Sequence, residues 1–209
     1  MSQKPHWLVD HGKPWTTSAP GQVIYDNPWI CLTEHQAIAP TGHAARYGVV
    51  GFKNYAIAVL PIHADGQVTL VGQNRFPLGG YSWEIPEGGG ARDDAPLDSA
   101  KRELREETGM VAGQWQQVLK LQLSNSVTNE EAFGFLATDL SQIDAVPQGD
   151  ETEDIARVTV PFHEALAAAM AGHMPDALTV VMLLKAYHMA KVGSLPAPLA
   201  RAMLGEPAT

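Results

Sequence analysis

The sequence predicts an α+β fold, layered as an α/β/α sandwich around a mixed β-sheet. Three observations carry that expectation. Short alternating segments separated by turns follow one another from Gln22 to Gln73. One strongly marked helix, from Pro96 to a stop at Gly109, interrupts the strands. After the strand Arg157–Val160, helical patterns over Pro161–Ala171 and Asp176–Lys191 close the chain.

In chain order, residues 1–21 are a polar arm broken by Pro5, Pro14 and Pro20, with Trp7 and Trp15 as its apolar exceptions. Val23–Tyr25, Trp29–Ala39 and Ala44–Val50 read as an antiparallel unit over residues 22–52, with Pro40-Thr41-Gly42 as a turn. A unit of two or three strands is not independently stable, so it must pack on the main domain or on a second copy of itself. Residues 53–193 form that main domain. In it, Tyr55–His63 and Gln67–Gln73 read as a hairpin joined by Ala64-Asp65-Gly66. Trp115–Leu123 and Ala132–Ala137 are further strands, and Val181, Leu184 and His188 share one face of the last helix. Residues 194–209, rich in Pro and Ala, read as a loosely held tail.

With 209 residues, 45% of them hydrophobic, the chain can bury a full core. A net charge of −9 without a long basic run argues against a nucleic-acid partner. The single cysteine, Cys31, rules out an internal disulfide and suits a reducing compartment. No apolar run has signal-peptide length at the N-terminus or membrane-spanning length elsewhere, so a cytoplasmic protein is expected. The eight histidines show no metal-ligand spacing, which argues against a zinc site.

The helix after Pro96 holds the chemistry. Asp93 or Asp94 stands where it could cap the N-terminus, Pro96 suits the first turn, and Gly109 suits a left-handed stop. Leu97, Ala100, Leu104 and Thr108 form the expected buried stripe. Glu103 and Glu107 share one face, with Glu106 beside them. Like charges at this spacing cost a few tenths of a kcal/mol each, and the helix dipole favours cations at this end. Two readings of the face follow. It is a solvated surface offset by Lys101, Arg102 and Arg105, or it is a carboxylate set relieved by a hard divalent cation.

The longer spacing bears on that choice. From Gly88 to Met110 the chain resembles the Nudix box, Gly-x5-Glu-x7-Arg-Glu-U-x-Glu-Glu-x-Gly-U, where U is aliphatic. The five fixed letters from Arg102 to Gly109 would match by chance at about one start in a million. One position departs, since Asp94 stands where the pattern has its first Glu, and it is assigned no essential role. Tyr25-Asp26-Asn27-Pro28-Trp29, Gln73-Asn74-Arg75, Trp83-Glu84-Ile85-Pro86-Glu87-Gly88 and the acidic loop Gly149–Ile155 extend the resemblance to the ADP-ribose and nucleoside-diphosphate-sugar pyrophosphatase branch.

That resemblance implies the Nudix fold and a homodimer with exchanged N-terminal units. It implies Mg²⁺-dependent hydrolysis of a nucleoside diphosphate sugar to a nucleoside monophosphate and a sugar phosphate, with Mn²⁺ as a substitute ion. ADP-ribose is the first substrate expected and GDP-mannose the next; a nucleoside triphosphatase and a non-catalytic nucleotide sensor are the alternatives. The implied metal ligands are Glu103, Glu106, Glu107, the backbone carbonyl of Glu87, and Glu153. Glu151 is the implied base, with Asp150 and Asp154 as competitors, and Arg102 orients the box glutamates. Arg75 and Glu84 are implied at the substrate, and Trp29 either stacks on the base or is plain core. Asn125 and Glu130 lie in a loop that could reach the sugar.

Overall fold

The computed structural model describes residues 4–143 and 154–207. The chain divides into two compact units, one running to Lys53 and including Ser124–Asn129, the other formed by Asn54–Leu123 and the chain from Glu130.

In the first unit β1 (Thr16–Thr17), β2 (Gln22–Asp26), β3 (Ile30–Ile38) and β4 (Ala44–Phe52) form one antiparallel sheet. β3 pairs with β4 along one edge and with β2 and then β1 along the other. The turn between β2 and β3 is closed by Asn27, whose Oδ1 accepts the backbone N–H groups of Trp29 at 2.8 Å and Ile30 at 2.7 Å. The Ser124–Asn129 segment lies beside β4, where the Val50 N–H donates to the Val127 carbonyl at 2.9 Å. Asn129 Oδ1 accepts the Phe52 N–H at 2.7 Å.

The second unit contains β5 (Asn54–Pro61), β6 (Gln67–Arg75), β7 (Gly80–Glu84), β8 (Glu87–Ala91), α1 (Pro96–Thr108), β9 (Met110–Gln122), β10 (Glu131–Gln142), β11 (Ala156–Pro161), α2 (Phe162–Met170), α3 (Ala177–Lys191) and α4 (Ala197–Met203). One sheet has the order β8-β5-β10-β9 and is mixed, because β5 and β10 run parallel while the outer pairs are antiparallel. A second, antiparallel sheet has the order β11-β6-β7.

β5 shows how the layers form. Its Ile57 and Val59 pack with Ala100 and Leu104 of α1 and with Phe133 and Phe135 of β10. Its Ala58 and Leu60 point the other way, into a larger core that takes Phe162 of α2, Met182 and Leu183 of α3, and Met203 of α4. A strand covered on both faces must be apolar at every position, which is why Ile57–Leu60 is unbroken. The result is the expected α/β/α sandwich of the α+β class.

Two local expectations are corrected. The Tyr55–His63 and Gln67–Gln73 segments form a hairpin only at its tip, where Ile62 bridges Val68 and the His63 N–H donates to the Gln67 carbonyl at 2.9 Å. Beyond that point β5 has β8 and β10 on its two edges and β6 has β7 and β11, so the two strands belong to different sheets. The tail from Ser194 is not loose through its length. Ala197–Met203 is helical, and Ala200 and Met203 are buried in the larger core. The apolar spacing of Leu195, Leu199 and Met203 carried that signal.

α1 ends as expected on Gly109, whose φ of 71° is the left-handed conformation that a side chain disfavours. Its start differs. The N-cap is Ala95, without a side-chain cap, because Asp93 and Asp94 sit upstream in the turn that precedes it.

Met203→Ala is expected to lower the unfolding free energy by about 2–5 kcal/mol, the range for a large buried side chain cut back in a core. Chemical denaturation reads this directly, and a tail without core contacts would give less than about 0.5 kcal/mol.

Candidate active site

The site is built where α1 lies on β8. Gly88 pairs with Ile57 of β5 and lies under Glu103, so a Cβ at residue 88 would sit 2.4 Å from the Glu103 carboxylate. A side chain there would displace the Glu103 carboxylate from this position. One turn further on, Glu107 Oε2 accepts the Glu87 backbone N–H at 3.0 Å. The Glu107 carbonyl in turn accepts from the Arg157 Nε of β11. Glu103 and Glu107 are only 7% and 4% exposed, so the solvated-face reading fails for this pair. Glu106 stays half-buried at the edge of the face.

Arg102 ties these carboxylates together. One guanidinium nitrogen donates to Glu103 Oε1 at 2.6 Å and to the Gly89 carbonyl at 2.7 Å. The other donates to Glu106 Oε2 at 2.7 Å. The guanidinium thus holds one box glutamate on either side of itself and fixes both to β8.

A second group of charges stands beside the first. Arg75, at the end of β6, forks onto the carboxylate of Glu84 and also donates to Glu87 Oε1 at 3.1 Å. Glu84 is 3% exposed. Burial, the largest single influence, pushes its carboxyl up, but hydrogen bonds with Arg75, Glu87 and Ser82 and the charge of Arg75 together leave it below its ordinary value. Glu87 behaves in the opposite way. Burial first, then the charges of Asp176 and Glu84, raise its carboxyl well above the usual range. Its Oε2 is buried and has no hydrogen-bond partner.

Asp176 reaches this group because it caps α3. Its Oδ2 accepts the Thr179 N–H at 2.7 Å, and Thr179 Oγ1 accepts the Ile85 N–H at 3.0 Å, which pins the start of α3 to the β7–β8 turn. Carboxylate oxygens of Glu84, Glu87 and Asp176 come within 4.8 Å of one another. Three carboxyl groups so close, one with an orphaned oxygen, form a hard-oxygen donor set that fits a divalent cation. Arg75, Glu84, Glu87, Gly88, Glu130 and Asp176 line a cleft of about 380 Å³. Glu130, whose carboxyl is pushed up by partial burial, therefore stands at the cleft wall.

Glu84, Glu87, Arg75 and Glu130 converge on this cleft, next to the α1 glutamates. Trp29 and Asn125 belong to the first unit. There Trp29 is 67% exposed, which removes its plain-core reading. Asp94 and Asp154 are exposed. Asp150, Glu151 and Glu153 lie outside the described residues. Sequence reasoning missed Asp176 and Arg157. An aspartate ahead of an apolar helix signals a cap, but nothing in its local pattern tells where that cap will lie.

Taken together, the site offers clustered carboxylate oxygens for hard cations and a guanidinium beside them for phosphate oxygens. Comparison with known proteins agrees. The NUDIX domain model matches residues 53–180. The ADP-ribose pyrophosphatase of Bacillus subtilis is 31% identical over 156 residues, covering 75% of this chain and 84% of that enzyme. The GDP-mannose pyrophosphatase of Yersinia pestis is 32% identical over 138 residues, covering 62% of this chain and 69% of that enzyme. The crystal structure of an ADP compounds hydrolase superposes with a TM-score of 0.78, at 18% identity, covering 88% of this chain and 98% of that one, and shares its fold. With the box helix packed on β8 and the domain model spanning most of the chain, this protein belongs to the NUDIX family and is a Nudix hydrolase of the branch that contains the ADP-ribose pyrophosphatases.

Proposed function

We propose that this hydrolase cleaves the pyrophosphate of a nucleoside diphosphate sugar, ADP-ribose first, releasing a nucleoside monophosphate and a sugar phosphate. The observation that carries this reading is the burial of Glu103 and Glu107 against β8, beside the cleft that Arg75 lines. Carboxylates buried at the edge of a cleft concentrate negative charge there, and a diphosphate needs its own charge neutralised before a nucleophile can approach. The likeness to the Bacillus subtilis enzyme supports ADP-ribose, and the likeness to the Yersinia pestis enzyme keeps GDP-mannose as the next candidate.

Mg²⁺, with Mn²⁺ as substitute, is the ion that these oxygens suit. Glu103, Glu106, Glu107, the backbone carbonyl of Glu87, and Glu153 would hold it. When bound it supplies charge neutralisation at the phosphates and acidifies water. The remaining work falls to the chain. Arg102 keeps Glu103 and Glu106 oriented through its hydrogen bonds. Arg75 presents its guanidinium to the diphosphate oxygens, a geometry that suits bidentate recognition. Glu84, buried and bound to Arg75, serves the substrate by holding that guanidinium in place. Glu151 takes the proton of the attacking water, and Trp29 stacks on the base. Val23, Ile24, Tyr25 and Trp29, all exposed in the first unit, support a homodimer joined through these units.

A panel of ADP-ribose, GDP-mannose, UDP-glucose and nucleoside triphosphates with Mg²⁺, read as released monophosphate, tests the assignment. Turnover of ADP-ribose above the others is expected, and activity on triphosphates alone refutes the reading. Glu107→Gln should abolish turnover and remove the rise in melting temperature that Mg²⁺ confers on the wild type. Unchanged rates would exclude a metal role for this residue. Glu151→Gln should lower kcat by about 10²–10⁴-fold, the range for a positioned base. If Asp150→Asn does so instead, the base is Asp150.

A further inference from the structure

On the other side of α1 a groove of about 490 Å³ runs between the helix and the start of β9. It is lined by Lys101, Arg102 and Arg105 from α1, by Val111, Ala112 and Gly113, and by Trp115. Among the described residues that line it, Asp98 is the acidic one, and its side chain lies 3.8 Å from Lys101. Three of the fourteen lysines and arginines of a chain with net charge −9 thus meet in one concavity.

An exposed helix arginine is ordinarily matched by an acid three or four residues away. Arg105 is not. Its neighbours at those spacings are Lys101, Arg102, Thr108 and Gly109, and among the described residues it forms no ion pair. Lys101 and Arg105 lie one turn apart and reinforce each other's field, while Arg102 spends its own hydrogen bonds on Glu103, Glu106 and Gly89. Among the described residues the lining thus sets three cations against Asp98, with the carboxylate of Asp139 beside Gly113, and Arg105 keeps its charge outside any ion pair.

The opposite wall narrows the ligand. Trp115 Nε1 donates to the Ala112 carbonyl at 3.1 Å, and the ring meets Phe135 edge-on at 6.4 Å. With its N–H committed, the indole offers the groove only apolar π surface, of the kind on which a flat ring stacks. The volume lies in the range of small-molecule sites, and the overall acidity of the chain disfavours a long polyanion.

We propose that this groove binds a nucleoside monophosphate, with its phosphate on Lys101 and Arg105 and its base against Trp115. The site is separate from the cleft, since the two share no lining residue. Calorimetric titration of adenosine monophosphate into the full chain, in EDTA and at low salt, tests it. Wild type and Arg75→Ala should both show the groove site. Arg105→Glu should weaken that site at least tenfold, and Arg105→Lys should retain it. Inorganic phosphate should bind at least tenfold more weakly than the nucleotide. The proposal is overturned if Arg105→Glu titrates like wild type, if Arg75→Ala abolishes all binding, or if phosphate alone binds as tightly as the nucleotide. Because Arg105 is exposed, the far-ultraviolet spectrum of each variant should match wild type.

Discussion

Two carboxylates pressed against a strand set the terms for this molecule. Glu103 and Glu107 belong to a face of α1 that a helix would normally leave in water, yet both are buried on β8. Burying an ionised carboxylate without hydrogen bonds is prohibitive. The structure answers with a glycine under one of them, a backbone N–H for the other, and a guanidinium that bridges Glu103, Glu106 and the strand carbonyl. These local devices hold the carboxylates in place. The group of Glu84, Glu87 and Asp176 repeats the situation, with Arg75 paired to Glu84 and Glu87. Acidic pressure on the cleft from two directions favours a dense positive partner.

The scaffold that bears this pressure is a strand layer covered on both sides. α1 takes one face of the mixed sheet, and α2, α3 and α4 serve the other. β8 is an edge strand of that sheet and so can meet α1 closely while its far end turns toward β7. The pin between Ile85 and Thr179 brings the start of α3 to the same turn. Residues far apart in sequence are thereby held on rigid elements, the arrangement that keeps a reactive constellation in register.

Much of this was legible in the residues. The helix limits at Pro96 and Gly109 follow from local chemistry, and the spacing of Arg102, Glu103, Glu106 and Glu107 is specific enough to name the family before any fold is known. Most strand positions also followed, because alternation and turn residues are local signals, but β1, β7 and β8 did not, being short and, in β8, rich in glycine. What escaped was partnership. The Asp65-Gly66 turn announces a hairpin, but whether β5 and β6 stay paired depends on which strands claim their outer edges. Asp176 reads as a cap, and its place beside Glu87 arises only from the crossing of α3 over the β7–β8 turn. The tail was misread because its helix is short and flanked by prolines, which mask an apolar spacing that tertiary burial then secures. The burial of Glu103 and Glu107 was not readable either, since nothing in a one-dimensional pattern separates an acidic face in water from one held against a strand.

The parallel pairing of β5 with β10 bears on how the chain reaches its native state. The Ile57–Leu60 run of β5 is apolar on both faces, and its parallel neighbour arrives only after β6, β7, β8, α1 and β9 have been made. Closing so long a loop is slow, because chain entropy is lost before the contact is gained. On the ribosome β5 must wait with sticky surfaces uncovered, a condition that invites association between nascent copies. Synthesis temperature and chaperone supply act on that interval before β10 emerges.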